Sequence, residues 1–228
     1  MVDKSGLVRQ AFAALGIPLV AMALLLFLPA WSLRYWQGWL FLAVFGGACI
    51  VNSLYFIRHD PELVRRRMAA GPVAETEPAQ KRIMTITSLG FILVILVPAL
   101  DYRWQWSNVP AWLAIAGELG VLASFYLIAL VLRQNSFAAA TIRVEANQKV
   151  VTTGAYAIVR HPMYAAALPL FFFTPLALGS YWGLLIAVAM VPALMWRLLD
   201  EEKYLVRNLP GYDDYRRTTP YRLIPLIW

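Results

Sequence analysis

The chain has 228 residues, of which 61% are hydrophobic and only 14% are charged, which excludes a soluble domain because such a domain needs far more polar surface. The single cysteine, Cys49, excludes a disulfide framework, and with only two histidines we predict no metal site. A net charge of +7 would suit nucleic acid. Membrane topology and anionic headgroups explain the charge instead, so no nucleic-acid partner is predicted.

Six apolar stretches each predict a membrane helix, since a bilayer core needs about 20 apolar residues per helix. They are residues 11–30, 36–57, 83–100, 111–132, 163–178 and 181–199. The first resembles a signal peptide, but it continues through Pro29 without a small-residue cleavage site, so we interpret it as a retained helix. The fifth, with about 16 residues, reaches only about 24 Å. The fifth and sixth, joined by Gly179-Ser180, therefore form a tight or a partly inserted helical hairpin.

Lysine and arginine in the loops orient the chain, because cytoplasmic loops carry them in excess. If successive spans cross the membrane in opposite directions, 18 of the 20 basic residues lie on one side and only Arg34 and Arg103 lie on the other. Both termini are therefore predicted to be cytoplasmic, in an inner or plasma membrane. The simpler interpretation of Arg65-Arg66-Arg67 is a juxtamembrane anchor, and the alternative is a substrate-binding patch. The predicted fold is an all-α, polytopic integral membrane protein.

Aromatic and polar residues mark positions along these spans. Two clusters flank the predicted far loops and indicate interfacial belts: Trp31, Tyr35, Trp36 and Trp39, and Tyr102, Trp104, Trp106 and Trp112. Glu118 is an isolated carboxyl in an apolar span, for which a functional role and a partnered structural role are both open. No chain of intramembrane carboxylates accompanies it, which argues against an ion-coupled transporter.

Motifs are densest where the fifth span begins. Pro162 suits the first position of a helix, and it displaces the preceding His161 from helical geometry. Arg160 and His161 therefore lie at the mouth of this span, beside free backbone N–H groups that favour anionic ligand groups. Tyr156 and Tyr164 offer aromatic ring faces on either side of this position.

A second cluster begins where the sixth span leaves the membrane. Arg197 and Glu201 are four residues apart and share a helix face, so spacing alone favours a routine ion pair at a helix end. The polar tail that follows contains Gly211-Tyr212-Asp213-Asp214-Tyr215 and could fold back over the membrane face as a lid.

Together these residues resemble the isoprenylcysteine carboxyl methyltransferase family of integral membrane methyltransferases, which is similar to the phospholipid methyltransferases. The resemblance covers residues 135–228, and no diagnostic motif lies in the first four spans. The matching segments, in the order of the family pattern, are Gly154-Ala155-Tyr156, Arg160-His161-Pro162-Met163-Tyr164, Arg197, Glu201-Glu202-Lys203-Tyr204-Leu205, Gly211-Tyr212-Asp213-Asp214-Tyr215 and Pro225.

The resemblance implies S-adenosylmethionine as the methyl donor. It implies a cofactor pocket formed by Gln148, Lys149, Val150, Val151, Gly154, Tyr156, Arg160, His161, Pro162, Met163, Tyr164 and Glu201. Arg197 would bind the methyl acceptor, and Arg197 and His161 are the candidate catalytic residues. A further cofactor contact is implied near residues 141–143, without an assigned position.

The chemistry of these side chains fits such a donor. Tyr156 or Tyr164 could hold the sulfonium by cation–π contact. Glu201 could bind the donor's ammonium group, while His161 and the helix-start N–H groups bind its carboxylate. Positioning alone supplies about 7–11 kcal/mol in favourable cases. Arg197 would orient an anionic acceptor; a carboxylate needs no general base, and a thiol could lose its proton to water or His161.

Two regions are predicted: residues 1–132 as a four-helix transmembrane region, and residues 133–228 as the cytoplasm-facing methyltransferase region. The predicted function is methyl transfer from S-adenosylmethionine to a carboxylate or thiol of a small or lipophilic acceptor. The alternatives are a phospholipid or amine N-methyltransferase, and a non-enzymatic membrane transport or assembly protein. The expected partners are the methyl acceptor and membrane lipids.

Overall fold

The computed structural model describes residues 4–145 and 147–228, and these residues form helices and no strand. Two short 3₁₀ turns, Pro72–Ala74 and Gly154–Ala157, lie in the connecting segments. The α-helices of the described ranges are α1 (Lys4–Ala30), α2 (Trp36–His59), α3 (Pro61–Met68), α4 (Pro78–Trp104), α5 (Ala111–Leu132), α6 (Pro162–Ala177), α7 (Trp182–Asn208) and α8 (Tyr212–Thr218).

The predicted all-α, multi-pass fold is confirmed. Helices α1, α2, α4, α5 and α7 are long and apolar enough to cross a membrane, and α6 is a shorter apolar helix. Helix α4 extends beyond the predicted residues 83–100 at both ends, and α7 extends beyond the predicted residues 181–199 at its C-terminal end. The reason is that hydropathy marks only the lipid-immersed part of a helix, whereas backbone hydrogen bonding continues into the polar turns at either end.

The helices pack as a bundle in which α6 lies against α5, and α7 lies against α4 and α6. Helix α1 packs on α2 and α4, and α2 also contacts α5. We name the end of the bundle with α3, residues 133–161 and α8 the basic end. The opposite end, with the connections 31–35, 105–110 and 178–181, is named the far end. The hairpin of α6 and α7 is thus held by helices from the first half of the chain.

The turn between α6 and α7 reaches the far end of the bundle. The Tyr35 hydroxyl donates a hydrogen bond of 2.6 Å to the Leu178 carbonyl. The Ser180 hydroxyl donates to the Asp101 carboxylate at the end of α4, at 2.5 Å. The same carboxylate accepts hydrogen bonds from the backbone N–H and the hydroxyl of Ser107, each 2.6 Å. The hairpin therefore runs between the two ends of the bundle, despite the shortness of α6.

Tyr35 does not have the interfacial position predicted for it. Its side chain is fully buried and stacks on Tyr102 with ring centroids 4.4 Å apart. Its neighbours Trp31, Trp36 and Trp39 are exposed, as a residue of an interfacial belt must be. The prediction for Tyr35 was wrong because a cluster of aromatics in the sequence does not reveal which ring faces the bundle.

Glu118 lies in α5 and is only 4% exposed. Neither of its carboxylate oxygens has a hydrogen-bond partner within the described parts of the chain. The described parts of the chain therefore do not supply the hydrogen-bond partner that a structural role for Glu118 would need. The polar groups of Ser107 and Ser180 at the far end donate hydrogen bonds to Asp101 and not to Glu118.

The close contact between α5 and α6 depends on Gly117, and this yields a prediction about stability. A Cβ at Gly117 would lie 2.4 Å from the backbone nitrogen of Ala177. We expect Gly117→Ala to lower stability by about 1–3 kcal/mol, because the backbones must separate. The measurement is the unfolding temperature in detergent. The matched control is Gly47→Ala in α2, where a Cβ meets nothing within 4 Å. Equal unfolding temperatures for both variants would contradict the prediction.

Candidate active site

A cavity of about 690 Å³ lies at the basic end of the bundle. This volume falls in the range of small-molecule sites, about 300–1,000 Å³. One part of its wall, here called the polar wall, contains the charged and tyrosine side chains and comes from residues 135–164 and the C-terminal region after residue 196. The other part is apolar and comes from helices α4, α6 and α7: Met84, Phe91, Ile92, Phe171 and Leu194. The cavity thus joins the predicted motif residues to the membrane helices.

Tyr156 occupies the polar wall, where a 3₁₀ turn positions it. Asn135 donates a hydrogen bond of 3.1 Å to its hydroxyl, and its backbone carbonyl accepts one of 2.6 Å from the Tyr215 hydroxyl. Burial raises the pKa of Tyr156; the Asn135 hydrogen bond lowers this pKa, Glu201 raises it and Arg67 lowers it. Tyr156 is therefore a neutral phenol within electrostatic range of both a carboxylate and a guanidinium.

The start of α6 has the geometry that the sequence predicts. Pro162 occupies the first turn, and His161 precedes it with a non-helical φ of −123° and ψ of 61°. The backbone N–H groups of Arg160 and His161 donate to the carbonyls of Tyr221 and Arg222, each at 2.9 Å. The C-terminal tail therefore pairs with the backbone at the mouth of α6, as expected for a segment that folds back over this face.

A buried ion pair between Arg160 and Glu202 reinforces this pairing. Arg160 Nε donates to Glu202 at 2.7 Å, and both side chains are 6% exposed. The second oxygen of Glu202 accepts from Arg222 Nε at 2.9 Å. Arg160 also donates to the carbonyls of Thr219 and Pro220 at 2.9 and 2.8 Å. The guanidinium of Arg160 is thus engaged in holding the tail, although the residue lines the cavity.

Glu201, Tyr164 and His161 form a polar group on the cavity wall. The Tyr164 hydroxyl donates a hydrogen bond of 2.6 Å to Glu201 Oε2. The His161 ring packs edge-on to Tyr164 at a centroid distance of 5.8 Å. Its Nε2 is buried, lies 3.7 Å from Glu202 and has no hydrogen-bond partner in the described parts of the chain. The Glu201 carboxylate and a histidine whose Nε2 has no hydrogen-bond partner in the described parts of the chain therefore line the same cavity.

Arg197 also lines the cavity, and its guanidinium is held by three groups. It donates to the Glu75 carboxylate at 2.9 Å, to Gln80 Oε1 at 3.0 Å and to the Ala140 carbonyl at 3.0 Å. The routine ion pair with Glu201 that the spacing suggests is not formed, because Glu75 takes the guanidinium and Tyr164 takes Glu201. Arg197 is thus fixed in one orientation.

Glu75 is the buried anchor of this arrangement. Its side chain is 1% exposed, and its second oxygen accepts a hydrogen bond of 3.1 Å from the backbone N–H of Ile142. The Gln80 amide, which accepts from Arg197, also donates to Asp200. Glu75 therefore connects three parts of the chain: the loop before α4, the segment around residue 142 that is predicted to face the cytoplasm, and α7.

The structure brings together the residues that the sequence singled out. The cavity is lined by Gln148, Lys149, Val150, Val151, Tyr156, Arg160, His161, Pro162, Met163, Tyr164, Arg197 and Glu201. Residues 141–143, where the resemblance implies a further contact, also line it. Gly154 does not: its φ of +61° is a left-handed conformation that favours glycine, so its part is to form the turn before Tyr156. The binding roles of the lining residues stay predictions.

Sequence reasoning missed the contribution of the first half of the chain. Six residues of α3 and α4 line the cavity: Arg67, Met84, Thr87, Ser88, Phe91 and Ile92. For Arg67 the signal was present, since a substrate-binding patch was the alternative interpretation of the three consecutive arginines. For Glu75 there was none, because nothing in the pattern distinguishes it from the nearby Glu77.

Comparison with known proteins gives a family model and two relatives. A family model described as phospholipid methyltransferase matches residues 112–210. The chain is 32% identical over 137 residues to the nickel-cobalt-cadmium resistance protein NccN of Alcaligenes xylosoxydans xylosoxydans, covering 57% of this chain and 59% of that protein. It is 34% identical over 201 residues to methanethiol S-methyltransferase 2 of Bradyrhizobium diazoefficiens, covering 80% of this chain and 75% of that protein. The chain therefore belongs to the isoprenylcysteine carboxyl methyltransferase-like family of integral membrane methyltransferases, related to the phospholipid methyltransferases, as its motif order predicted.

Proposed function

We propose that this protein is an S-adenosylmethionine-dependent methyltransferase that acts on a small apolar thiol, with the basic end of the bundle facing the cytoplasm. The observation that carries the proposal is one cavity in which a polar wall with Glu201 and His161 meets an apolar wall from the membrane helices. The relative named as a methanethiol S-methyltransferase supports a thiol acceptor. The charge distribution, with 18 of 20 basic residues on one side, supports the orientation.

The residues of the polar wall fit the donor. Glu201 would bind its ammonium group, and His161, which lines the cavity and whose Nε2 has no hydrogen-bond partner among the described residues, would donate a hydrogen bond to its carboxylate. The rings of Tyr156 and Tyr164 suit a sulfonium by cation–π contact. When bound, S-adenosylmethionine supplies an electrophilic methyl group. The fit rests on the charge and hydrogen-bonding capacity that these side chains present to the cavity.

The acceptor side is assigned to Arg197 and the apolar wall. Because Glu75 and Gln80 fix the guanidinium, Arg197 can orient the acceptor sulfur as the thiol loses its proton to water. Apolar residues such as Phe91 and Phe171 exclude water, which strengthens the electrostatic contacts made by these groups. The chain thus contributes positioning and a dry environment.

A second candidate acceptor is a lipophilic molecule, either a prenylcysteine carboxylate or a lipid amine. One observation favours it: Ile92, in the membrane-crossing helix α4, lines the cavity and is 39% exposed. The cavity wall thus includes an exposed apolar residue of a membrane-crossing helix, beside which an acceptor dissolved in lipid would enter.

A methyl-transfer assay distinguishes these acceptors. We expect purified protein in lipid nanodiscs to methylate short alkanethiols with a higher kcat/KM than S-farnesylcysteine or phosphatidylethanolamine, because Arg197 and a compact apolar wall suit a small sulfur nucleophile. The measurement uses donor labelled in the methyl group and separates the three products by chromatography. Transfer only to the prenylcysteine or the lipid amine would replace the thiol by the second candidate. No transfer to any acceptor would overturn the enzymatic function.

A further inference from the structure

Six charged side chains line the cavity, and most of the cations among them already have a carboxylate partner. The ion pairs are Arg143 with Glu145, Arg160 with Glu202 and Arg197 with Glu75, at 3.1, 2.7 and 2.9 Å. Glu201 is the one carboxylate in the lining formed by the described residues. Lys149 is exposed, so water solvates its ammonium group. The remaining cation of the lining is Arg67.

Arg67 lacks the carboxylate that its neighbours have. Arg65 and Arg66 each form an ion pair with a glutamate, at 2.5 and 3.0 Å. The guanidinium of Arg67 donates instead to the Ala138 carbonyl at 3.2 Å, and within residues 4–145 and 147–228 no carboxylate lies within ion-pair distance of it. Burial lowers the pKa of Arg67, which reflects the cost of removing this cation from water. An anionic ligand group would offset that cost.

We infer that Arg67 binds the carboxylate of the methyl donor's amino-acid end, while Glu201 binds its ammonium group. The inference rests on the proposed function, since it requires that S-adenosylmethionine occupies this cavity. It assigns an ionic contact to helix α3, which lies outside the residues 112–210 matched by the family model. Arg67 would act together with His161, whose Nε2 lies 3.7 Å from Glu202 and has no hydrogen-bond partner in the described parts of the chain.

The charges around Tyr156 fit a zwitterion. The ammonium and the carboxylate of an amino acid are attached to the same carbon, so their protein partners must lie near one another and have opposite charge. Glu201, Arg67 and Tyr156 line the same cavity, and Glu201 raises the pKa of Tyr156 whereas Arg67 lowers it. An acceptor thiol would use only one of these two charges, whereas the amino-acid end of the donor uses both.

Two ligands that differ by one carboxylate test the inference. S-adenosylhomocysteine has the ammonium and the carboxylate, and S-adenosyl-3-thiopropylamine has only the ammonium. Calorimetric titration of the full chain in nanodiscs gives the Kd of each ligand for the wild type, Arg67→Gln, Arg67→Lys and the control Arg65→Gln. We expect Arg67→Gln to weaken S-adenosylhomocysteine binding by about 10- to 100-fold and to leave the analogue unchanged. Arg67→Lys should retain part of the affinity, and Arg65→Gln all of it.

Other outcomes overturn the inference. Equal losses for both ligands would mean that Arg67 supports only the structure of the pocket. Unchanged affinity of Arg67→Gln for both ligands would instead support the interpretation of Arg67 as a membrane anchor. Unchanged donor affinity with a raised KM for the acceptor would assign Arg67 to an anion of the acceptor instead. If the wild type bound neither ligand, the proposed function itself would fail. If the wild type bound both ligands and Arg67→Gln bound them equally well, only the inference about Arg67 would fail.

Discussion

Replacing Glu201 by glutamine is expected to weaken S-adenosylhomocysteine binding about 100-fold, equivalent to about 2.7 kcal/mol. Glu201 is the one carboxylate that the described residues present to the cavity, and it is fixed by a 2.6 Å hydrogen bond from Tyr164. Removing one partner of a desolvated ion pair costs about 2–5 kcal/mol, because the remaining ammonium group loses its counter-charge. Glutamine keeps the shape of the side chain and still accepts the Tyr164 hydrogen bond.

Two neighbouring residues serve as controls for the Glu201→Gln variant. Lys203 is exposed on the same helix, so Lys203→Ala should bind the ligand as the wild type does. Glu202→Gln should instead lower the unfolding temperature, because Glu202 holds Arg160 and Arg222 in the tail. The measurements are calorimetric titration and thermal unfolding in detergent. Equal Kd values for wild type and Glu201→Gln would remove the ammonium contact from the mechanism.

Replacing Arg197 is expected to lower kcat by about 10²-fold while the Kd of the donor product changes little. The guanidinium is held by Glu75, Gln80 and the Ala140 carbonyl, so it is a fixed group on the cavity wall, and under the proposed function it lies beside the reacting atoms. A reactant displaced by about 1 Å from its reactive position can react about 10²-fold more slowly. Glu75 would act as a positioning residue through Arg197.

The design of the Arg197 variants must avoid a buried unpaired charge. Arg197→Ala alone would leave the 1% exposed Glu75 carboxylate without its partner, which costs about 3–5 kcal/mol. The double variant Arg197→Met with Glu75→Gln removes both charges and keeps the packing. Arg197→Lys keeps the charge but loses the planar fork, so it should fold and recover only part of kcat. Wild-type kcat in the double variant would show that Arg197 is not involved in turnover.

Local features of the chain were predictable because their causes are local. The apolar runs predicted the five long helices and the short α6, and Pro162 predicted where α6 begins. The order of motifs from Gly154 to Pro225 predicted the family, as the relatives confirm. Each of these signals depends on neighbouring residues, or on the solvation of one segment, and does not require knowledge of which helices touch.

The contacts between side chains that are distant in the sequence were predicted less well than the helices. Spacing placed Glu201 beside Arg197, whereas the structure pairs Arg197 with Glu75, which lies 122 residues away in the chain. Tyr35 was assigned to an interface and is instead buried against Tyr102. Residues four apart on a helix are within reach of one another, but a buried guanidinium takes the carboxylate that packing brings closest and shields from water.

The sequence by itself determined that this is a multi-pass helical membrane protein of a methyltransferase family, because hydropathy and motif order are properties of the linear chain. Only the tertiary structure decided the composition of the cavity wall. It brought Arg67 and α4 to the motif residues of the C-terminal half, and it placed Glu75 against Arg197. The physical reason is that burial and charge pairing depend on which helix faces meet, and the packing of α4 against α7 and of α5 against α6 sets those faces.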